Sequence, residues 1–292
     1  MRPTKRSLIV GASGQVGAQI VEALGSGSSI ATSRNAAMPG AMQLDLSALS
    51  LESSLGLICQ HELDAVYCVG GMTDVDRCEA ESQLAMKTNC DGPGFLAAAA
   101  ATRSLPFVYF STEYIFDGVN GPYSEDAPAN PINAYGQSKW QGEQAVRDAH
   151  PSPLIIRTTV VYGPDPGERN FLYRLRNTLR KGQKICVPFD QISTPTYNRD
   201  LAKNVLALVN AHASGVFHVC GPERVSRFEF SRQAAALMGL NKSLIIGVPT
   251  LELAQKAPRP LNAGLRTEKL WGHKAHFPVR TLAEVLCNWM AK

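Results

Sequence analysis

The strongest constraint on how this chain folds is the passage Ser7-Leu8-Ile9-Val10, which runs directly into Gly11-Ala12-Ser13-Gly14-Gln15-Val16-Gly17. Apolar residues then recur at Val16, Ile20, Val21 and Leu24, a helical spacing that stops at Gly25. With 24 glycines in the chain, this spacing is easily met by chance, so its place between a strand and a helix carries the information. There Gly11 permits a tight turn and Gly14 lets backbone approach a pyrophosphate. Gly17 lets helix and strand pack closely, and the helix start offers unpaired N–H groups to the anion.

The same rhythm continues. Further strands are expected at Ile30–Thr32, Leu44–Leu46, Asp64–Val69, Phe107–Phe110 and Leu154–Arg157, with helices over Leu51–Ile58, Glu81–Asn89, Gly92–Arg103 and Tyr135–Asp148. Short apolar strands alternating with helices imply an α/β fold, a doubly wound parallel sheet of the Rossmann type. From about Tyr162 prolines interrupt the pattern, which partly resumes at Asp200–Asn210 and Val216–Val219. The expected organisation is a dinucleotide-binding domain over 1–160, to which the chain returns at about 195–220. A smaller C-terminal substrate lobe takes 161–194 and 221–292.

The 292 residues are 45% hydrophobic and 18% charged, enough apolar material for a sizeable core. Net charge is only +4, which gives no ground for a nucleic-acid partner. The longest strongly apolar run, Phe95–Ala101, is too short to span a bilayer. The basic start Met1–Arg6 leads into a strand rather than a signal-peptide core, so no leader and no membrane partner are expected. Seven cysteines without a CxxC pair read as reduced thiols of a cytoplasmic protein.

Two further patterns carry chemistry. The second strand ends in Thr32-Ser33-Arg34 and lacks the carboxylate that would bind a ribose 2′-hydroxyl. A hydroxyl at Ser33 and a guanidinium at Arg34 suit a 2′-phosphate, which favours NADPH, with NADH as the alternative. Tyr135-Gly136-Gln137-Ser138-Lys139 places a phenol and an ammonium four residues apart on one helix face, and Ser111-Thr112 follows the fifth strand on the ligand side. The set suffices for carbonyl reduction. Tyr135 would protonate the developing alkoxide, Lys139 would lower the phenol's pKa, and Thr112 would hydrogen-bond the carbonyl oxygen. A basic stretch from Arg169 to Lys184 (Arg169, Arg174, Arg176, Arg180, Lys181, Lys184) reads as a solvated helix face, with attraction of a nucleotide diphosphate as the alternative.

Longer blocks accompany these motifs: Thr73-Asp74-Val75-Asp76-Arg77-Cys78-Glu79, Ser111-Thr112-Glu113-Tyr114-Ile115-Phe116-Asp117-Gly118, Asn133-Ala134-Tyr135 through Lys139, Gly142-Glu143, Arg157-Thr158, and Arg259-Pro260. On these the chain resembles the extended short-chain dehydrogenase/reductase superfamily, in its dTDP-4-dehydrorhamnose reductase branch, which also includes the regulatory β-subunit of methionine adenosyltransferase. The resemblance implies an oxidoreductase that reduces the 4-keto group of a nucleotide-linked 6-deoxysugar with NADPH. It implies that Gly11, Ser13, Gly14, Gln15 and Val16 lie along the pyrophosphate, Ser33 and Arg34 at the 2′-phosphate, and Asp45 and Leu46 at the adenine. Val69, Gly70, Gly71 and Thr73 would line the nicotinamide, and Tyr135 and Lys139 its ribose. Thr112, Glu113, Met72, Val160 and Arg259 would face the substrate. A homodimer rests on this likeness alone.

The chain departs from the branch at four places. The usual Asn-Ala-Ala-Ala-His is Cys68-Val69-Gly70-Gly71-Met72, and the Asp after the catalytic Thr is Glu113. The Trp that packs on the sugar is Val160, which loses a flat apolar contact. The carboxylates that bind magnesium in some members have no counterpart, so no metal is expected. These changes keep two alternatives open: a catalytically silent NADP-binding regulatory or scaffold protein like the methionine adenosyltransferase β-subunit, and a reductase of a non-sugar ketone.

Overall fold

In the computed structural model, which describes residues 6–35 and 38–289, the first strand β1 (Arg6–Val10) is followed at once by α1 (Gln15–Leu24). The strands β2 (Ser29–Ser33), β3 (Met42–Gln43), β4 (Leu63–Cys68), β5 (Phe107–Thr112) and β6 (Leu154–Thr158) join β1 and the strand Gly215–His218 in one seven-stranded sheet. Its order is Gly215–His218, β6, β5, β4, β1, β2, β3, and every pair is parallel. The strand sequence runs outward in both directions from the β1–β4 pair, so the sheet is doubly wound. Between those strands lies the crevice where such sheets take ligands. The basic start at residues 1–5 lies outside the described residues.

Alternation along each strand explains why both faces are covered. Leu8 and Val10 pack with Val66, Cys68, Tyr109 and Ile155 on one side. Ile9 packs with Ala65, Tyr67, Val108, Phe110 and Ile156 on the other. The helices α2 (Leu51–Cys59), α3 (Val75–Ala80), α4 (Ser82–Met86), α5 (Gly92–Ala101) and α6 (Ala134–Ala149) follow in chain order. After them come α7 (Phe171–Arg180), α8 (Asn198–Asn210) and α9 (Arg227–Leu237). Leu96, Ala97 and Ala100 of α5 cover the first face, and Leu201, Val205 and Leu208 of α8 the second. A separate core joins Leu172, Leu175 and Leu179 to Phe230, Ala234, Val285 and Leu286.

Three expectations need correction. The third strand is Met42–Gln43, not Leu44–Leu46, because Asp45 accepts from Ser47 N and turns Leu46–Ala48 into a 3-10 segment. The helix expected over Glu81–Asn89 starts at Ser82, separated from α3 by a break at Glu81, and does not end at Asn89. A π-helical segment, Lys87–Asp91, carries it into α5, with Pro93 accommodated in the first turn where no N–H is needed. The basic helix is shorter than expected: Arg169 precedes its Asn170 cap, and Lys181 and Lys184 follow its end. No helix among the described residues is long and apolar enough to cross a membrane.

Candidate active site

At the crevice, β1 and β4 end side by side and their following loops touch. Gly11 adopts φ +89°, and a Cβ there would lie 2.6 Å from Gly70 Cα. A Cβ on Gly17 would lie 2.3 Å from Gly11 O, so neither position tolerates a side chain. Gly14 caps α1 without a side-chain hydrogen bond, and the first turn of the helix is left without a side-chain acceptor. Gln15 is held by both its amide atoms: Nε2 donates to Val161 O at 3.2 Å and Oε1 accepts from Asn170 Nδ2 at 3.2 Å. Val16 is half-buried beside it.

The groove extends over the end of β2. Ser33 Oγ donates to Ser13 Oγ at 2.9 Å, Arg34 is exposed, and Thr32 Oγ1 is buried without a partner. Asp45 is spent in capping the 3-10 segment, while Leu46 is buried, with Cδ1 3.2 Å from where a Gly70 Cβ would stand. Val69 and Gly70 are half-buried, and Gly71 and Thr73 are exposed on the same loop. A groove floored by glycines, with an uncapped helix start at its middle and a serine pair and a guanidinium at one end, fits a phosphorylated dinucleotide. Its other end reaches the YxxxK helix, because a Cβ on Gly71 would come 4.0 Å from Lys139 Nζ.

The helix α6 presses directly on β5 and the segment after it. Cβ atoms at Gly136 and Gly142 would lie 2.1 Å from Tyr114 O and 2.3 Å from Tyr109 Oη. Asn133 starts the helix by accepting from Gly136 N at 2.8 Å, and its Nδ2 donates to Pro258 O at 2.9 Å. Tyr135 and Thr112 share a hydrogen bond, and the Tyr135 ring meets Tyr114 edge-on at 5.5 Å. Lys139 is buried with Nζ 4.0 Å from the centre of the Tyr109 ring. Burial pushes the Lys139 ammonium down to about 8, and burial pushes the Tyr135 phenol up. The expectation that Lys139 lowers the Tyr135 pKa is therefore not met: burial raises it. Tyr135 packs with Met72, Cys78 and Ala85, and loss of water there outweighs the help from Thr112.

Two anchoring groups had no role assigned to them from the sequence. Asn89, in the π segment, accepts from Met72 N at 2.8 Å and donates to Met72 O and Ser138 Oγ, each at 3.0 Å. It therefore fixes the Gly70–Met72 loop against α6. Glu143 and Arg157 form a buried pair at 2.8 and 2.9 Å that clamps α6 to β6. A lone Asn in a helical run gives no local signal, and the Glu–Arg pair is recognisable only once the strand and helix are placed.

Beyond Thr112 lies a small cavity of about 20 Å³ lined by Glu113, Tyr114, Val160, Gln191, Ser193 and Arg227, among others. Glu113 is buried and accepts from Ser193 Oγ at 2.8 Å, Gly264 N at 2.9 Å and Thr159. Burial pushes its carboxyl up despite these donors. Val160 holds φ +36°, a left-handed conformation that costs a β-branched residue about 1–3 kcal/mol. Arg227 is half-buried over the Phe171 ring at 4.8 Å, and burial with Arg174 and Arg259 nearby lowers its pKa. Met72 is buried against Tyr135, whereas Arg259 is tied to Asp76 at 2.9 Å and to Ala257 O at 2.8 Å. Ser193, Thr159 and Arg227 were not singled out from the sequence. The seven cysteines are free thiols, and burial pushes Cys68 up to about 12 and Cys78 to about 11. Among the described residues no group of three or more His, Cys, Asp or Glu could hold a metal ion.

Comparison with known proteins adds four findings. A profile described as the RmlD substrate binding domain matches residues 5–291. A dTDP-4-keto-6-deoxy-D-glucose reductase of Streptomyces niveus is 32% identical over 279 residues, covering 95% of this chain and 93% of that protein. A dTDP-4-dehydrorhamnose reductase of Sinorhizobium fredii is 31% identical over 237 residues, 77% of each chain. The crystal structure of a dTDP-4-dehydrorhamnose reductase from Bacillus anthracis in complex with NADP superposes with a TM-score of 0.86 at 27% identity, covering 98% of each chain.

Proposed function

We propose, for a chain that belongs to the RmlD substrate binding domain family, that it is an NADPH-dependent reductase of the 4-keto group of a nucleotide-linked 6-deoxysugar. The observation that carries this reading is the meeting of two structures at Gly71: the dinucleotide groove on one side and Lys139 with Tyr135 and Thr112 on the other. NADPH, when bound, supplies the hydride that the carbonyl carbon receives. The chain's own residues do the rest. Thr112 and Tyr135 offer hydroxyls to the carbonyl oxygen, and the raised pKa of the phenol keeps its proton in place for delivery. Lys139, cationic below about pH 8, stabilises the charge that proton transfer leaves on the phenol oxygen. Glu113, held by Ser193, Thr159 and Gly264, presents a fixed acceptor to sugar hydroxyls. Among the described residues Arg227 forms no ion pair with a carboxylate, and it faces the same pocket, where the diphosphate of the activated sugar would neutralise it.

In this reading residues 1–160 and about 195–220 carry the cofactor, and 161–194 with 221–292 close over the sugar. The cofactor-contacting set is Gly11 to Val16, Ser33, Arg34, Asp45, Leu46, Val69 to Gly71, Thr73, Tyr135 and Lys139. We propose a cytoplasmic location, in keeping with a nucleotide-sugar substrate and NADPH as cofactor. The test is NADPH oxidation with dTDP-4-keto-6-deoxyhexose, after calorimetric titration with NADPH and NADH. Tight NADPH binding and rapid oxidation are expected. Binding without oxidation of this sugar or of a panel of ketones would overturn the reductase assignment in favour of a regulatory protein that uses the dinucleotide as a ligand.

A further inference from the structure

The loop between Gly163 and α7 is more elaborately held than a connection needs to be. Asp165, itself buried, accepts from Gly167 N at 3.1 Å, Arg169 N at 2.7 Å and Asn170 N at 3.1 Å. Glu168 is driven to φ +48° and paired with Arg176 at 3.1 Å. Asn170 caps α7 and reaches back to Gln15 in the glycine-rich loop. A strained residue persists where its surroundings over-determine it, so what the loop presents is the point of interest. It presents Arg169. The side chain crosses Gly167, where a Cβ would lie 2.5 Å from Nε, and Nη2 donates to Ser13 O at 3.3 Å. That is the only hydrogen bond of this guanidinium among the described residues, so most of its five donors remain available. Ser13 is also the residue bonded to Ser33, next to Arg34.

We propose that Arg169 binds a phosphate of the dinucleotide from across the groove, so that the cofactor is clasped by a cation from a different chain segment than the one that forms its bed. The inference rests on the dinucleotide reading given above. Two phosphate sources share this chemistry, the 2′-phosphate and the pyrophosphate. The consequence is mechanical as well as electrostatic: loading the groove pulls the 163–170 loop onto Ser13, and through Asn170 and Gln15 it ties α7 to α1.

The test is calorimetric titration of the full-length wild type, Arg169→Ala and Arg169→Lys with NADPH and NADH at low and high salt. Arg169→Ala is expected to weaken binding about tenfold, with a shallower salt dependence, and Arg169→Lys to recover part of the loss. A loss confined to NADPH assigns the guanidinium to the 2′-phosphate, and a loss shared by NADH assigns it to the pyrophosphate. Unchanged affinity for both in Arg169→Ala overturns the proposal while leaving the functional reading intact. A wild type that binds neither dinucleotide overturns both. Because Arg169 is exposed, the ligand-free melting temperature is expected to be unaltered; a lowered one with unaltered affinity identifies a structural role and also overturns the proposal.

Discussion

Over Gly11 and Gly70 the protein offers a ligand mostly backbone, whereas over Glu113 it offers side chains gathered from distant parts of the chain. The groove is shaped by what is missing, since a Cβ at Gly11 or Gly17 would strike main-chain atoms. The pocket is shaped by what has been drawn in: Glu113 bonds to Ser193 and to Gly264, which are 80 and 151 residues away in sequence. A bed of backbone amides recognises any diphosphate, whatever the substrate beside it. A pocket of buried side chains recognises one arrangement of hydroxyls and changes when a single residue does. The departures at Met72, Glu113 and Val160 fall in or beside the second region; that at Cys68–Gly71 falls in the first, which retains the glycines of Gly11–Gly17.

Substituting Tyr135→Phe separates the two regions most sharply. Turnover is expected to fall about 10²–10⁴-fold with dinucleotide affinity nearly constant, measured by steady-state kinetics beside calorimetry. An equal loss of both would mean that the phenol belongs to the groove. Next in size is the clamp between them. Arg157→Leu leaves Glu143 buried without its main partner and should cost about 3–5 kcal/mol of stability in chemical denaturation. A loss below about 1 kcal/mol would show that Arg147, 3.4 Å from Glu143, takes over the pairing.

A pH profile sharpens the same division. With Lys139 pushed down to about 8, kcat/KM should fall about tenfold per pH unit above that value. Stability should move the other way. An unfolded lysine titrates near 10.5, so between about 8 and 10.5 the unfolded chain holds more protons than the folded one, and this group's contribution rises with pH across that window. Lys139→Met should abolish the rise, and a flat activity profile to pH 10 in the wild type would contradict the assignment of an ammonium to catalysis. The smallest effect is expected at the rim of the groove. Arg34→Ala should narrow the preference for NADPH over NADH about tenfold or less, because Arg34 is exposed and its attraction is screened. No change in that preference would leave Ser33 as the discriminating residue.

The contrast also explains what could be read before any coordinates. The strand, glycine loop and helix from Arg6 to Leu24 are contiguous, and each element's pattern agrees with the next, so the dinucleotide half was legible. Tyr135 and Lys139 were legible because one helical turn brings them together. Leu44–Leu46 misled because a short apolar run does not distinguish a strand from a turn, and the deciding group was the Asp45 carboxylate bonded to Ser47. Gly92-Pro93 read as a helix start, yet a π segment carries the helix through it and aims Asn89 at Met72. Ser193, Thr159 and Arg227 left no trace, because their significance exists only when segments far apart close around Glu113. The direction of the Tyr135 shift was missed for a related reason: spacing predicts a neighbouring charge but not the exclusion of water by Met72 and Cys78.

The edge strand Gly215–His218 has one further consequence, which belongs to the protein's biosynthesis. It pairs with β6, and every other neighbour in the sheet is translated before it. As the chain leaves the ribosome, β6 therefore carries an open, apolar edge from its own emergence until Gly215–His218 has emerged to pair with it. Over the same interval Gln15 waits for Asn170 and then for Asn198, whose Nδ2 donates to its carbonyl at 3.4 Å. A released chain ending at residue 160 would carry the whole glycine motif and the whole YxxxK helix, and still expose an unprotected strand edge. Slow translation before Gly215–His218 emerges would prolong the exposure of that edge while the glycine motif and the YxxxK helix are already made.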